Sequence, residues 1–266
     1  RPGSVDAAAE AVERAVKEAL AAAGHAGPAD ALWAGVAGAG NETVRAALEA
    51  SLTQRGLSRR VGVGTDMDPA FESAFGAGPG LLLIAGTGSV AMARDRGGRL
   101  RRVGGWGRKL GDEGGGYWLT MQALGAVARA EDGRAQRTAL REAVLARLGL
   151  DAPRDLVGWV ERATKAEVAA LAPMVLVAAE GGDSVAASIA TDAAAALRTH
   201  VIALLEGMER DGGAESGLTL ALSGGLIRQG GPLRATLERI LTPLGLPLHE
   251  GPLDPPLGAA ELAARL

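Results

Sequence analysis

The sequence contains no cysteine, which excludes a disulfide framework, a thiolate metal site and an iron–sulfur cluster. Aromatic residues make up only 3% of the chain, and the three histidines, His25, His200 and His249, are far apart in the sequence. Scattered histidines of this kind are typical of surface or structural positions. The sequence therefore predicts no metal centre.

The chain also lacks a concentration of positive charge. Its net charge is −3, its pI is near 5.7, and the basic residues between positions 94 and 109 are interleaved with glycine and aspartate. Because nucleic-acid binding needs clustered lysine and arginine, we predict no nucleic-acid partner. No apolar stretch approaches the roughly 20 residues of a membrane span, and residues 1–10 carry no apolar signal-peptide core. These absences favour a cytoplasmic protein with no membrane partner.

The chain is long enough for two lobes, since it has 266 residues, of which 47% are hydrophobic. Capping residues and apolar spacing in the first lobe predict a helix over 4–23, a strand over 31–36, a helix over 43–52, a strand over 60–63 and a helix over 69–75. After Gly80, three strand-prone runs separated by GT and DRGG predict an antiparallel meander. The remaining pattern predicts helices over 114–129, 134–148, 153–163, 166–180 and 185–209, a strand over 218–222, a helix over 233–241, a strand over 246–249 and a closing helix over 258–266.

The order of elements in the first lobe repeats only the end of the order in the second lobe. Three opening strands are missing from the first lobe, and a sheet of two short strands would leave an unpaired apolar edge. We therefore expect this lobe to be incomplete and the chain to begin inside a longer protein.

Two glycine-rich turns, each after an apolar strand, are typical of nucleotide binding. In IAGTGS the glycines let the backbone approach a phosphate, and hydroxyl and amide donors are available from Gly86, Thr87, Gly88 and Ser89. In LSGGL a base or ribose can lie on the bare backbone of Gly224 and Gly225. The alternatives are an ordinary hairpin turn and an ordinary strand-to-helix turn.

Asp66 directly follows the second predicted strand of the first lobe. A carboxylate in this position can accept the proton of an attacking hydroxyl if it is ionised and within hydrogen-bond reach. The alternative is a helix N-cap, because Asp66 or Asp68 precedes a short helix.

The segment GGWGRKLGDEGGGYW places Trp106 between glycines and follows it with Asp112 and Glu113. An indole held in this way can cover the apolar face of a sugar ring, and the two carboxylates can bind ring hydroxyls. Alternatively, the two adjacent acids stabilise the N-terminus of a helix through its dipole.

Together, GTGS, GGWG and GDEGxxYW resemble the N-acetylglucosamine kinase and BadF-type ATPase group of the actin, hexokinase and sugar-kinase superfamily, over essentially the whole chain. The resemblance implies an α/β fold of the ribonuclease H-like actin/hexokinase type with two lobes. It divides the chain into an incomplete N-terminal lobe over residues 1–78, a C-terminal lobe with inserted helices over 79–256, and a helix over 257–266 that packs back on the first lobe. It also implies an ATP- and Mg²⁺-dependent kinase of N-acetylglucosamine, glucosamine or a related hexose.

The resemblance assigns roles to individual residues. Asp66, about twenty residues before GTGS, becomes the catalytic base, with Asp68 as its competitor. GTGS becomes the second phosphate loop, and LSGGL is similar to the adenosine motif. The sugar contacts are carried onto the residues Gly105, Trp106, Asp112 and Glu113.

Three features depart from the pattern of the group. The chain has no Asp-Gly-Gly-Gly-Thr phosphate loop, the sugar-binding asparagine after the third strand is missing, and Val90 follows GTGS where asparagine is frequent. If the polypeptide itself lacks the phosphate loop, we expect little or no phosphoryl transfer.

Two other functions are compatible with the resemblance. A BadF-type ATPase would drive conformational change or electron transfer with a cysteine-bound iron–sulfur cluster, and the absence of cysteine argues against it. A homologue that binds sugar without turnover would agree with the missing phosphate loop. The resemblance also suggests a homodimer, and the sequence does not choose among the sugars.

Overall fold

The computed structural model of the chain describes residues 5–211 and 217–266. The chain divides into two compact units, of which the first holds the chain up to Ala77 together with Gly251–Leu266, and the second holds Gly78–Glu250. The sequence predicted the two boundaries after residues 78 and 256, whereas the structure has them after residues 77 and 250.

The elements, in chain order, are α1 (Val5–Ala22), β1 (Ala29–Gly35), α2 (Glu42–Gln54), β2 (Ser58–Gly64), α3 (Met67–Phe75), β3 (Gly80–Ala85), β4 (Ser89–Arg94), β5 (Leu100–Gly104), α4 (Gly116–Glu131), α5 (Leu140–Leu148), α6 (Asp155–Arg162), α7 (Lys165–Ala169), α8 (Ala172–Glu180), α9 (Ser184–Arg210), β6 (Leu220–Ser223), α10 (Arg234–Leu241), a short 3₁₀ helix (Thr242–Leu244) and α11 (Pro255–Ala264).

The first unit contains α1 to α3, the parallel strands β1 and β2, and α11. The predicted order of helix, strand, helix, strand and helix is therefore confirmed for residues 5–75. Asn41 caps α2 by accepting a hydrogen bond from the Val44 amide at 3.2 Å, which fixes where that helix begins. Helix α11 packs on α3 through Gly258, where a side chain would overlap the Pro69 carbonyl oxygen.

The second unit is built on a four-stranded sheet with the order β5-β4-β3-β6. The pairs β3–β4 and β4–β5 are antiparallel, which confirms the predicted meander, whereas β3 and β6 are parallel. Ile84 pairs with Ser223 at the carboxyl ends of β3 and β6. The two glycine turns that follow these strands therefore leave the sheet at the same edge.

Helix α9 crosses the hydrophobic core of the second unit. It contacts β3, β4, β5, α8 and α10, and its side chains Leu197, Val201 and Leu204 are completely buried. Its length and composition alone would also allow it to cross a membrane, since its mean hydropathy reaches 1.2 over 18 residues, 44% of which are buried. The prediction that no apolar stretch is long enough to span a membrane is therefore wrong for α9 by length and composition. The buried face explains those apolar residues as core packing.

The helix predicted over 166–180 is divided into α7 and α8. Thr164 and Glu167 form a capping box that starts α7, and Pro173 lies in the first turn of α8. Because proline has no amide hydrogen, it cannot continue the hydrogen-bond ladder of the preceding helix. The break at residues 170–171 follows from this proline.

The segment 246–249, predicted as a strand, forms no continuous strand in the structure. Only an isolated parallel bridge joins Leu248 to Leu220, supported by hydrogen bonds of 2.9 Å from Leu220 to Pro247 and from His249 to Leu220. Pro247 cannot donate to a ladder, so the pairing next to β6 stays short.

Candidate functional site

The two glycine turns of the second unit lie side by side. Gly224 has a φ of +90°, and a Cβ there would lie 2.5 Å from the carbonyl carbon of Ala85 and closer still to its oxygen. The Leu226 amide donates to that same oxygen at 3.1 Å. Gly224 is therefore required for the turn after β6 to pack on the end of β3, whereas a Cβ at Gly225 would meet nothing within 4 Å.

The turn after β3 spans three residues, because Ala85 pairs with Ser89 across it. The start of α4 holds its carbonyl groups, since the Gly116 amide donates to Gly86 at 2.8 Å and the Tyr117 amide donates to Thr87 at 3.0 Å. A Cβ at Gly115 would lie 2.6 Å from the Gly88 carbonyl carbon, so glycine is needed for this close approach.

This arrangement directs two amides of the turn away from α4. In a trans peptide the C=O and N–H bonds point in opposite directions, so the carbonyls of Gly86 and Thr87 turn the amides of Thr87 and Gly88 outward. Within residues 5–211 and 217–266, neither amide has a hydrogen-bond acceptor. Successive free backbone amides of this kind form a concavity that binds anions.

The two predicted hydroxyl donors of the turn differ in what they contact. Thr87 is exposed, whereas Ser89 is 3% exposed and its hydroxyl donates to the Glu113 carbonyl at 2.6 Å. The Ser89 proton is therefore used to join β4 to the segment before α4, and Thr87 is the hydroxyl of this pair that can face a ligand.

Asp112 lies directly against the turn after β3. It is 4% exposed, has a φ of +63°, and forms a 2.6 Å salt bridge with Lys165. A Cβ at Gly88 would lie 2.7 Å from its carboxylate carbon. The alternative, in which the two acids stabilise a helix N-terminus, does not describe Asp112, because the first turn of α4 contains no acidic residue and the Asp112 carboxylate is paired with Lys165. Its Oδ1 atom has no partner in the described part of the chain.

Lys165 is a residue that sequence reasoning missed. It lies 53 positions from Asp112 and begins α7, so no local pattern connects the two side chains.

Replacing Lys165 with Ala is expected to lower the free energy of unfolding by about 1–3 kcal/mol, because it leaves a buried carboxylate without its partner. The lower part of this range applies, since the lysine side chain is 38% exposed. Urea denaturation measures the change. Lys109→Ala serves as the control because Lys109 is an exposed lysine of the same unit. Equal stabilities of the two variants would contradict the expectation.

Trp106 is presented to solvent with 74% of its surface exposed. Its neighbours Gly105 and Gly107 have φ values of +67° and +82°, which make the sharp path of this segment possible. The Gly105 carbonyl accepts a 2.9 Å hydrogen bond from Arg102. The indole is thus available as a flat apolar surface. Glu113 is partly buried beside this segment.

Asp66 is the one predicted site residue of the first unit. It follows β2 at the N-cap position of α3, but its side chain makes no capping hydrogen bond and is exposed. Asp68 behaves differently, because it accepts a hydrogen bond from the Thr65 amide at 2.7 Å and burial raises its pKa. The capping alternative therefore does not describe the Asp66 side chain.

The sequence as a whole matches the model of one protein family. The BadF/BadG/BcrA/BcrD ATPase family model covers residues 2–263. The chain belongs to this family. The resemblance drawn from GTGS, GGWG and GDEGxxYW is thereby confirmed.

Two curated relatives of this family member are sugar kinases. An N-acetylmuramic acid/N-acetylglucosamine kinase of Clostridium acetobutylicum is 33% identical over 178 residues, covering 66% of this chain and 58% of the relative. An N-acetyl-D-glucosamine kinase of Dictyostelium discoideum is 31% identical over 189 residues, covering 69% of this chain and 59% of the relative. The matches thus span somewhat less than two thirds of the curated relatives.

Solved structures confirm the fold of the family member. A Chromobacterium violaceum protein assigned as an N-acetylglucosamine kinase is similar with a TM-score of 0.72 and 32% identity, covering 90% of this chain and 79% of that one. A hexokinase of the ROK family from Thermus thermophilus gives a TM-score of 0.53 at 17% identity, covering 97% and 84%. The predicted α/β fold of the actin/hexokinase type is confirmed. The incompleteness of the first lobe stays a prediction.

Proposed function

We propose that the protein is an ATP-dependent sugar kinase that transfers the γ-phosphoryl group to a hydroxyl of N-acetylglucosamine, glucosamine or a related hexose. The single observation that carries the proposal is the pair of outward-facing, unpaired amides of Thr87 and Gly88, beside the glycine turn after β6. Two curated relatives with sugar-kinase names support the same reaction class.

In this proposal the second unit binds the nucleotide through its main chain. The amides of Thr87 and Gly88 and the Thr87 hydroxyl donate to phosphate oxygens, while Ser89 supports the turn through Glu113. The bare backbone at Gly225, following Gly224, receives the adenosine group. Backbone donors that are already oriented stabilise developing phosphate charge without reorganising.

The sugar is proposed to bind at the segment that contains Trp106 and Asp112. The exposed indole covers an apolar face of the ring, and the unpaired Oδ1 of Asp112 accepts from a ring hydroxyl. The partly buried Glu113 carboxylate and the Gly105 backbone supply further polar contacts. The Lys165 salt bridge keeps the Asp112 side chain in one orientation.

Asp66 is proposed as the general base in the first unit. Its exposed carboxylate makes no capping bond, so it is free to accept the proton of the attacking hydroxyl. Asp68 is the less suitable base, because its Oδ2 already accepts from the Thr65 amide.

The reaction class also implies Mg²⁺, which neutralises the charge of nucleotide phosphates when it is bound. The described residues contain no group of three histidine, cysteine, aspartate or glutamate side chains that could hold a metal ion. In many kinases Mg²⁺ is held mainly by phosphate oxygens, water and one or two carboxylates, so the proposal does not require such a group.

A second candidate is a homologue that binds sugar without catalysis, which is the behaviour expected of a polypeptide that itself lacks an Asp-Gly-Gly-Gly-Thr phosphate loop. A BadF-type ATPase with a cysteine-bound cluster is disfavoured, because the chain has no cysteine to hold the cluster. The homodimer, the cytoplasmic location and the absence of nucleic-acid and membrane partners stay predictions.

The proposal is tested by measuring ADP release from ATP and Mg²⁺ with a panel of sugars. The full-length gene product and the present chain are assayed in parallel with glucosamine, N-acetylglucosamine, N-acetylmuramic acid and glucose. We expect sugar-dependent ADP release by the full-length product with at least one amino sugar. Sugar binding without ADP release would support the non-catalytic candidate, and sugar-independent ATP hydrolysis would support an ATPase.

Trp106→Ala is expected to raise the KM for the sugar about tenfold with little change in kcat, because the indole contacts the substrate equally before and during transfer. Stability should change by less than about 0.5 kcal/mol, since the side chain is 74% exposed. Steady-state kinetics and urea denaturation measure both quantities. An unchanged KM together with a loss of stability would assign Trp106 to packing instead.

A further inference from the structure

The residues around Asp66 form a turn that is closed from both ends. The Thr65 amide donates to Asp68 Oδ2 at 2.7 Å, and the Asp68 amide donates back to the Thr65 carbonyl at 3.2 Å. Asp66 lies between these two residues and makes no capping bond of its own. The direction of its Cα–Cβ bond is therefore set by the backbone of a turn that Asp68 closes.

The Asp68 carboxylate is packed against the end of β2 and has little freedom to move. A Cβ at Gly64 would overlap Oδ2 of Asp68 and would lie 2.8 Å from Cζ2 of Trp33. The Asp68 carboxylate and the Trp33 indole thus occupy the space that a side chain at Gly64 would fill. On the neighbouring strand, a Cβ at Gly35 would lie 2.6 Å from Cγ of Pro69, so the residue after Asp68 is also held close to the sheet.

The stability of the fold does not explain why residue 68 is an aspartate. Burial raises the pKa of Asp68, because desolvation disfavours its charged form, and the nearby Asp66 charge raises it further. The hydrogen bond from Thr65 opposes both effects. A partly buried acid beside another acid is retained at a cost in stability, and such costs are typical of functional sites.

We infer that Asp68 is a positioning residue that orients the candidate base Asp66 by holding the Thr65 amide. This inference rests on the proposed function, because Asp66 acts as a base only if the protein transfers a phosphoryl group. Asp68 acts through its carboxylate oxygen as a hydrogen-bond acceptor. An amide oxygen at the same position replaces it, whereas a methyl group does not.

The test compares Asp68→Ala with Asp68→Asn in the full-length gene product. In Asp68→Ala we expect kcat to fall about ten- to hundredfold with the KM values for ATP and sugar within twofold, because a misaligned base affects the chemical step. In Asp68→Asn we expect kcat within about threefold of wild type, since the amide oxygen still accepts from Thr65. Asp30→Ala is the control, because Asp30 is an exposed acid of the same unit.

Hydrogen exchange of the Thr65 amide gives a readout that does not depend on activity. We expect faster exchange at Thr65 in Asp68→Ala, and wild-type protection in Asp68→Asn and Asp30→Ala. Wild-type kcat in Asp68→Ala despite an opened turn would overturn this inference while the proposed function stands. Equal losses of kcat in both Asp68 variants would overturn it as well, because they would indicate a need for charge. A wild-type protein that phosphorylates no sugar would overturn the proposed function itself, and the positioning role with it.

Discussion

Asp66→Asn is expected to lower kcat by about 10²- to 10⁴-fold, the range that a positioned general base contributes. Asparagine has the shape of aspartate but cannot accept a proton at neutral pH. The side chain is exposed and makes no capping hydrogen bond, so the free energy of unfolding should stay within about 0.5 kcal/mol of wild type. Steady-state ADP release and urea denaturation measure the two quantities.

The control for this variant is Asp30→Asn, which removes an exposed charge of the same unit. Sugar binding by the Asp66 variant, followed by calorimetry, should be close to that of wild type, because asparagine keeps the size of aspartate and can still hydrogen-bond to the hydroxyl. A near wild-type kcat would remove Asp66 from the role of base. Loss of binding and activity together would indicate a substrate contact instead.

Gly224→Ala is expected to destabilise the second unit by about 2–5 kcal/mol. Two costs add: the strain of a side chain at φ +90°, about 1–2 kcal/mol, and the overlap of its methyl group with the Ala85 carbonyl, about 1–3 kcal/mol. Urea denaturation with a probe in the second unit, such as hydrogen exchange of the β3 amides, measures the loss.

Gly225→Ala separates packing from ligand binding at the same turn. A methyl group there meets nothing within 4 Å, so the stability should change by less than about 0.5 kcal/mol. If adenosine lies on this backbone, the KM for ATP should nevertheless rise about tenfold. Equal stability losses in the two glycine variants would contradict the geometry of the turn, and an unchanged KM would remove Gly225 from the nucleotide site.

Much of the fold could be predicted because its determinants are local in the sequence. Apolar periodicity and turn residues predicted the meander β3 to β5 and the long helix α9, since each depends on short-range patterns. The break before α8 was missed although Pro173 lies there, because the apolar pattern continues across it. The length of the strand around Leu248 was overestimated, because strand propensity takes no account of the missing amide hydrogen of Pro247.

The site was predictable to a smaller extent. The glycine turns could be located from the sequence because each is made of consecutive residues. The Lys165 partner of Asp112 was not found, because only the folded chain brings residues 53 positions apart together. The hydroxyl of Ser89 was assigned to a phosphate, but whether a hydroxyl faces inward or outward depends on strand register, which a motif does not contain. The same holds for Asp68, whose hydrogen bond depends on the shape of one turn.

The hydrogen bonds from the first residues of α4 to the carbonyls of Gly86 and Thr87 hold the turn and the N-terminus of α4 together as one rigid unit. Because the outward amides belong to the main chain, no substitution at Thr87 other than proline removes them. The direction in which these amides point depends instead on the position of α4, which packs against α5, α7, α8 and α9. Sequence changes in those helices are thus a route by which affinity for an anion can be tuned while every residue at the anion itself stays the same.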